Sequence, residues 1–272
     1  MDANADANAG ASASASASAE LVEDRGLVVC RVMASEGGPS ANADATAWID
    51  VAAKANFTVR TLETGRELRF EGPGRVRACA GDVALVAEGA AVGLPGSGEA
   101  PGAEQWVATA CGVARWASGV HRLAGARDVC TLQSSMGSAN LYLAADIIAD
   151  ELDIDGGAHA DVGRDTGPWR RIDARHALRL HGHGALDTPA AVEAALASCE
   201  RSARDVQALA ARLTRPDAGS TSVGELAAAS VTARGVARAA CAVAAVRVAL
   251  GGSRPDAQTR LDAAGARWRA PR

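Results

Sequence analysis

The sequence predicts a mainly β protein, an antiparallel sandwich or a coiled β stack, followed by a C-terminal antiparallel α-helical hairpin. Three observations predict it. From Leu27 onward, runs of four to seven residues, most of them rich in β-branched or aromatic side chains, are bounded by Gly, Pro, Asn or Asp. Turn signals recur about every 8 to 12 residues, the rhythm of sandwiches and barrels rather than of parallel α/β sheets. After Asp187 the apolar period changes to alternating threes and fours, which belongs to helices.

The order of elements follows from these patterns. Residues 2 to 19 are low-complexity Asp-Ala-Asn and Ser-Ala repeats that cannot bury enough surface to offset the entropy of ordering them, so residues 1 to 20 are predicted to be a disordered tether. Strands are predicted at Leu27 to Met33, Ala47 to Val51, Phe57 to Leu62, Glu67 to Phe70, Arg75 to Cys79, Val83 to Ala87 and Gln105 to Thr109. Gly72-Pro73-Gly74 reads as a tight turn between two of them. Further strands are predicted at Val113 to Trp116, Val120 to Leu123, Val129 to Gln133, Asn140 to Leu143, Leu152 to Asp155, Trp169 to Ile172 and Ala177 to Leu180. Residues 21 to 186 thus form a β unit.

Residues 187 to 272 are predicted to be the helical hairpin and a tail. Thr188 caps a helix whose first position, Pro189, has φ already set. Val192, Leu196, Cys199, Ala203, Val206, Ala210 and Leu213 give it a narrow apolar seam. Arg215-Pro216 ends that helix, and Ser222 with Glu225 makes a capping box for the next. Leu226, Ala229, Ala233, Val236, Ala240, Val243 and Leu250 supply the facing seam, and the short connection makes the pair antiparallel.

Composition bounds the function. Of 272 residues 48% are apolar but only 3% aromatic, so the core is built largely from Ala and Val and is thin for its size. Residues 200 to 272 hold twelve Arg against six Asp or Glu, a local charge of +6 inside a chain of net charge -4. Arg spread around helices reads as a solvated face, and no recognised nucleic-acid motif accompanies it. No apolar run approaches the roughly 20 residues that cross a bilayer. A tether at the N-terminus is the arrangement of exported lipoproteins, so an export signal ending in a lipidated cysteine upstream of Met1 is expected.

The six cysteines are Cys30, Cys79, Cys111, Cys130, Cys199 and Cys241; none lies in a CxxC or a Cys/His cluster, which excludes the usual zinc spacing. Disulfides in an oxidising compartment are expected, with the connectivity of Cys30, Cys79, Cys111 and Cys130 left open among the alternatives that spacing allows. Cys199 and Cys241 are the structural disulfide candidate. They lie in or beside the two seams, within about one helical turn of the same height above the hairpin turn, given about 1.5 Å of rise per residue.

No catalytic constellation stands out. No GxSxG elbow occurs. Cys130 with His121 could form a thiolate pair only if their strands met, and a buried structural cysteine is the simpler reading. His181 and His183 stand on one face of a strand with His176 nearby, which suits a first-row metal, but no third fixed ligand is identifiable. Glu151-Leu-Asp153-Ile-Asp155-Gly156 has the spacing of a calcium loop, yet Val162 occupies the position that needs a bidentate carboxylate. Trp106, Trp116 and Trp169 read as core anchors in an aromatic-poor chain, with a sugar-stacking platform as the alternative.

The Gly72-Pro73-Gly74-Arg75 turn, the segment Gly98-Glu-Ala-Pro-Gly-Ala-Glu-Gln-Trp106 and the run Thr109-Ala-Cys-Gly-Val113 resemble the FecR-like β domain of bacterial envelope proteins, over roughly residues 21 to 185. The resemblance implies an all-β, non-enzymatic domain on the outer side of the inner membrane, associated with envelope signalling. It carries over no catalytic residue and no cofactor. The chain departs from the regulator pattern in showing neither an anti-sigma segment nor a transmembrane helix. The expected function is therefore a non-catalytic envelope module that contacts a protein or another envelope component and no nucleic acid. Two other classes stay open: a hydrolase or metal-dependent enzyme using His176, His181 and His183, and a cytoplasmic regulator whose Arg-bearing hairpin binds an acidic partner.

Overall fold

The computed structural model describes residues 16–24, 27–34, 47–61, 67–80, 83–94, 104–152, 168–214, 223–252 and 254–269. Among them the chain forms fourteen strands and then three helices, a mainly β fold with a helical C-terminal segment. The strands are β1 (Ser16–Asp24), β2 (Leu27–Ala34), β3 (Ile49–Val51), β4 (Asn56–Thr61), β5 (Glu67–Ala80), β6 (Val83–Leu94) and β7 (Gln105–Ala108). They continue as β8 (Gly112–Trp116), β9 (Val120–Gly125), β10 (Val129–Met136), β11 (Ala139–Leu143), β12 (Ile147–Leu152), β13 (Trp169–Ile172) and β14 (His176–Gly182). The helices are α1 (Pro189–Leu213), α2 (Val223–Leu250) and α3 (Pro255–Arg269).

All the strands belong to one hydrogen-bonded sheet that β5 and β6 curl into two layers. The first part of β5 pairs with β4 and with the end of β6, and its second part pairs with β3 and the start of β6. One layer therefore runs β2-β1-β4-β5-β6-β9-β10-β14-β12, and the other runs β3-β5-β6-β7-β8-β11-β13. Most pairs are antiparallel as predicted, but β1 with β4 and β6 with β7 are parallel, so the sheet is mixed.

The bend corrects the reading of Gly72-Pro73-Gly74 as a turn between two strands. Residues 72 to 74 instead form a bulge inside a single strand, opposite Gly89, and pairing with β6 resumes at Arg75 with Glu88. The corner requires glycine because two backbones meet there: a Cβ on Gly74 would overlap the Glu88 carbonyl oxygen, and Gly89 has φ +97°. Of the strand predicted at Leu152 to Asp155, Leu152 ends β12, which pairs with β14, and residues 153 to 155 lie outside the described part. At the N-terminal end, β1 begins at Ser16 and so enters the stretch expected to be a tether, since Ser-Ala alternation is compatible with backbone pairing; residues 1 to 15 lie outside the described part.

Side chains of the two layers interlock. The Trp116 indole on β8 lies over Gly93 of β6, where a Cβ would come within 2.6 Å of the ring. Phe57 and Phe70 stack across β4 and β5 with centroids 4.8 Å apart. On its other face the β6-β7-β8 layer is covered by α2. Residues 83 to 87 of β6 and 106 to 108 of β7 are consequently buried on both faces, which explains why they read as continuous apolar runs rather than alternating ones.

Thr188 caps α1 as its sequence predicts, its Oγ1 accepting from the Ala191 amide at 3.2 Å. Val192, Leu196, Cys199, Ala203 and Val206 of the predicted seam are buried. α2 is not a two-face seam: its residues 239 to 244 are all buried, because the β layer, α1 and α3 enclose it. The tail expected beyond the hairpin contains α3, whose start at Pro255 is the signal for it. One apolar cluster runs from the strands into all three helices. Among the described residues no helix is long and apolar enough to cross a membrane.

Candidate functional site

The three histidines of the metal reading are not brought together. His176 and His181 stand five residues apart on β14 and point to opposite faces of the sheet. His181 Nε2 lies 2.8 Å from Asp150 Oδ2. His176 Nε2 is 3.7 Å from Glu151, and His183 lies beyond the strand end. Among the described residues no group of three His, Cys, Asp or Glu could hold a metal ion. The other positions of the calcium-like spacing, Asp153, Asp155 and Gly156, fall outside the described residues.

Cys130 is bonded to Cys111, and Cys199 to Cys241, so Cys130 has no thiolate to share with His121. The first bridge joins β10 of one layer to the turn before β8 in the other; the second joins α1 to α2 with Cα atoms 4.5 Å apart. The side chains of Cys30 and Cys79 lie outside the described residues. His121 is buried against Trp116, its Nε2 2.9 Å from the Ser118 carbonyl oxygen, and burial lowers its pKa more than that hydrogen bond raises it.

The tryptophans form no open platform. Trp106 and Trp169 are 6% and 5% exposed and meet edge to face at 5.3 Å beneath the helices. The guanidinium of Arg238 lies 4.0 Å above Trp106, and that of Arg115 lies 4.3 Å above Trp169. Trp116 is sealed between the layers, where its Nε1 donates to Gln105 Oε1 at 2.8 Å. All three are core anchors.

One arginine has a place that the sequence reading missed. Arg247 of α2 is fully buried, although the arginines of this segment were expected on solvated faces. Its Nη1 and Nη2 donate to the two Asp146 carboxylate oxygens, each at 2.8 Å, its Nε donates to the Ala110 carbonyl at 2.8 Å, and Nη1 also reaches the Ala191 carbonyl at 3.1 Å. A single guanidinium thus fastens α2 to the β7–β8 turn, the β11–β12 turn and the first turn of α1. Desolvation opposes ionisation of Asp146, but the hydrogen bonds and charge of Arg247 prevail and hold its pKa below the usual value. The signal was available: Arg247 is the only charged residue between Ala239 and Leu250.

α3 is held in place from outside. Arg260 donates to both Glu193 oxygens at 2.8 and 2.9 Å and to Glu200 at 2.7 Å, which keeps both α1 carboxyls below the usual carboxylate range.

Between α3, α2 and the β5–β6 hairpin this arrangement leaves a groove. One hollow of about 350 Å³ has an apolar floor including Val83, Leu85 and Ala242, with Arg77, Arg238 and Arg269 around it. A second hollow, of about 330 Å³, is lined by Trp48, Arg75 and Arg254. The two meet at Ala245 and Gln258. Small residues create the space: a Cβ built on Gly265 would meet nothing within 4 Å. Among the described residues its charged lining is Arg75, Arg77, Arg238, Arg254, Arg269 and Asp262, and Arg75 lies 3.9 Å from Asp50.

Neither a family model nor a curated protein matches the chain. Two solved structures of a candidate anti-sigma factor from Parabacteroides distasonis, at 2.50 and 1.65 Å resolution, are similar to it at 12% identity and a TM-score of 0.33. The likeness covers 51% of this chain and 56% and 57% of those chains, so it spans little more than half of their length.

Proposed function

We propose that this protein is a non-catalytic binding module of the cell envelope, FecR-like in its β part, that functions on the oxidising side of the membrane. The observation that carries the reading is the pair of buried disulfides, each joining elements that pack in different positions of one core. Such bridges persist in exported proteins and are rare where thiols are kept reduced. Of the side chains weighed for chemistry, Cys130 is in a disulfide, His181 lies against Asp150, and the tryptophans are packed in the interior.

The test is the thiol state in cells. Alkylation after acid quenching, followed by non-reducing digestion, is expected to yield the peptide pairs Cys111 with Cys130 and Cys199 with Cys241, neither accessible to reagent before reduction. Quantitative labelling of these four cysteines in freshly quenched cells would overturn the envelope assignment.

A further inference from the structure

We infer that α3 is a hinged cover over the Cys199–Cys241 bridge, and that its release makes this bridge, but not Cys111–Cys130, a site of exchange with a dithiol. This goes beyond the binding reading and does not depend on it.

α3 lies across both ends of the bridge. On the α1 side its Arg260 donates to Glu200, the neighbour of Cys199, and on the α2 side Cys241 lines the hollow of about 350 Å³ that Gln258, Leu261 and Gly265 of α3 wall in. With α3 in place Cys199 is fully buried and Cys241 is 7% exposed. The other bridge has no such cover to lose: Cys111 and Cys130 are buried where the two sheet layers meet, and Cys111 Sγ is 3.5 Å from the Leu180 carbonyl oxygen of β14.

Little holds α3 down. Among its described residues those buried are Ala257, Ala264 and Gly265, which contribute little apolar area each. The hollow further limits its contact with α2. Its strongest printed tie to the body is the fork of Arg260 on Glu193 and Glu200, and Arg260 is 35% and Glu193 60% exposed, so dissolved salt reaches and screens it. The chain enters α3 past Gly252, which has φ +84° and where a Cβ would meet nothing within 4 Å, so no side chain braces the hinge. An element with so few buried apolar contacts opens at a lower free energy than the core.

The exchange is then open to the bridge. A thiolate of the dithiol attacks Sγ of Cys241, the less buried residue, and the S–S bond breaks with Cys199 leaving as thiolate. The second thiolate of the reagent displaces Cys241 from the mixed disulfide. The reagent is oxidised to a disulfide, the bridge is reduced, and both cysteine thiolates take up protons from water. α1 and α2 are left joined by packing alone.

Reduction of the purified, oxidised full chain by excess dithiothreitol without denaturant decides it, with alkylation at intervals and peptide mapping of each bridge. Initial rates are compared. Cys199–Cys241 is expected to be reduced at least about 10-fold faster than Cys111–Cys130. Raising sodium chloride from about 0.05 M to about 1 M should speed the first about 3-fold and leave the second unchanged. Arg260→Gln should speed the first about 5-fold at low salt and remove most of its salt dependence. If that variant fails to fold, the salt series on the parent decides. Equal rates for the two bridges, or equal acceleration of both, would mean that exchange follows global unfolding and would overturn the proposal, as would a Cys199–Cys241 rate that neither salt nor Arg260→Gln moves. The measurement uses purified protein, so its failure leaves the thiol state in cells, and the reading tested by it, untouched.

Discussion

Replacing Arg247 with methionine is expected to destabilise the protein by about 2–3 kcal/mol, less than for a fully buried ion pair because the Asp146 side chain is 39% exposed and can be rehydrated. Methionine fills much of the volume, so the loss comes from polar groups left behind: the Asp146 carboxylate and the Ala110 and Ala191 carbonyl oxygens all lose their donor. In a chain of 272 residues this corresponds to a fall in Tm of about 4–12 °C. Calorimetry of the variant checks it; a Tm within about 2 °C of the parent would show that the guanidinium does not hold the layers together. The same pair sets a pH limit. Because the folded-state pKa of Asp146 is depressed, its contribution is complete above its unfolded value, near about 3.9, and is lost as pH falls through the depressed value. Asp146→Asn is expected to be less stable than the parent at neutral pH, and the gap should close on acidification below about pH 4.

The double substitution Cys199→Ala with Cys241→Ala should lower the unfolding free energy by about 4 kcal/mol on the chain-entropy model, given a sequence separation of 42. The corresponding figure for Cys111 and Cys130, separated by 19, is about 3 kcal/mol, so the helical bridge is the larger contributor. Its loss is costly here because, apart from Leu196 and Leu226, the buried apolar side chains of α1 and α2 are Ala, Val and Cys, which bury little area each. Denaturant unfolding of parent and variant, with and without reductant, tests this. The variant should be insensitive to reductant at that bridge, and equal midpoints for oxidised parent and variant would refute the assignment of stability to it.

The sequence made some features legible and hid others for identifiable reasons. Mainly β structure with terminal helices was readable because strand runs and helical seams are local patterns, as Thr188-Pro189 illustrates. The height argument for Cys199 and Cys241 needs only the rise per residue. The partnership of Cys111 with Cys130 needs the stacking of two sheet layers, which no local pattern encodes. Gly72-Pro73-Gly74 was misread because a bulge and a tight turn use the same residues; which one forms depends on whether β6 is long enough to pair on both sides of the corner. α3 went unnoticed because its polar face dominates its composition and only Pro255 marks its start. The groove was invisible for a different reason: Arg75 and Arg77 are separated by some 160 to 195 residues from Arg238, Arg254 and Arg269, and only the tertiary packing of α2 and α3 unites them.

The β6-β7-β8 layer, covered by the opposing strands on one side and by α2 on the other, limits how this architecture can be recombined. A β unit whose outer face is polar can be transferred between genes as a self-contained cassette. Here the face carrying Trp106, Val113 and Trp169 is apolar and finds its cover in the segment that follows, so the strands without the helices would expose it. The two parts differ in structure class but share one buried cluster, and a fusion placed between them would divide a core.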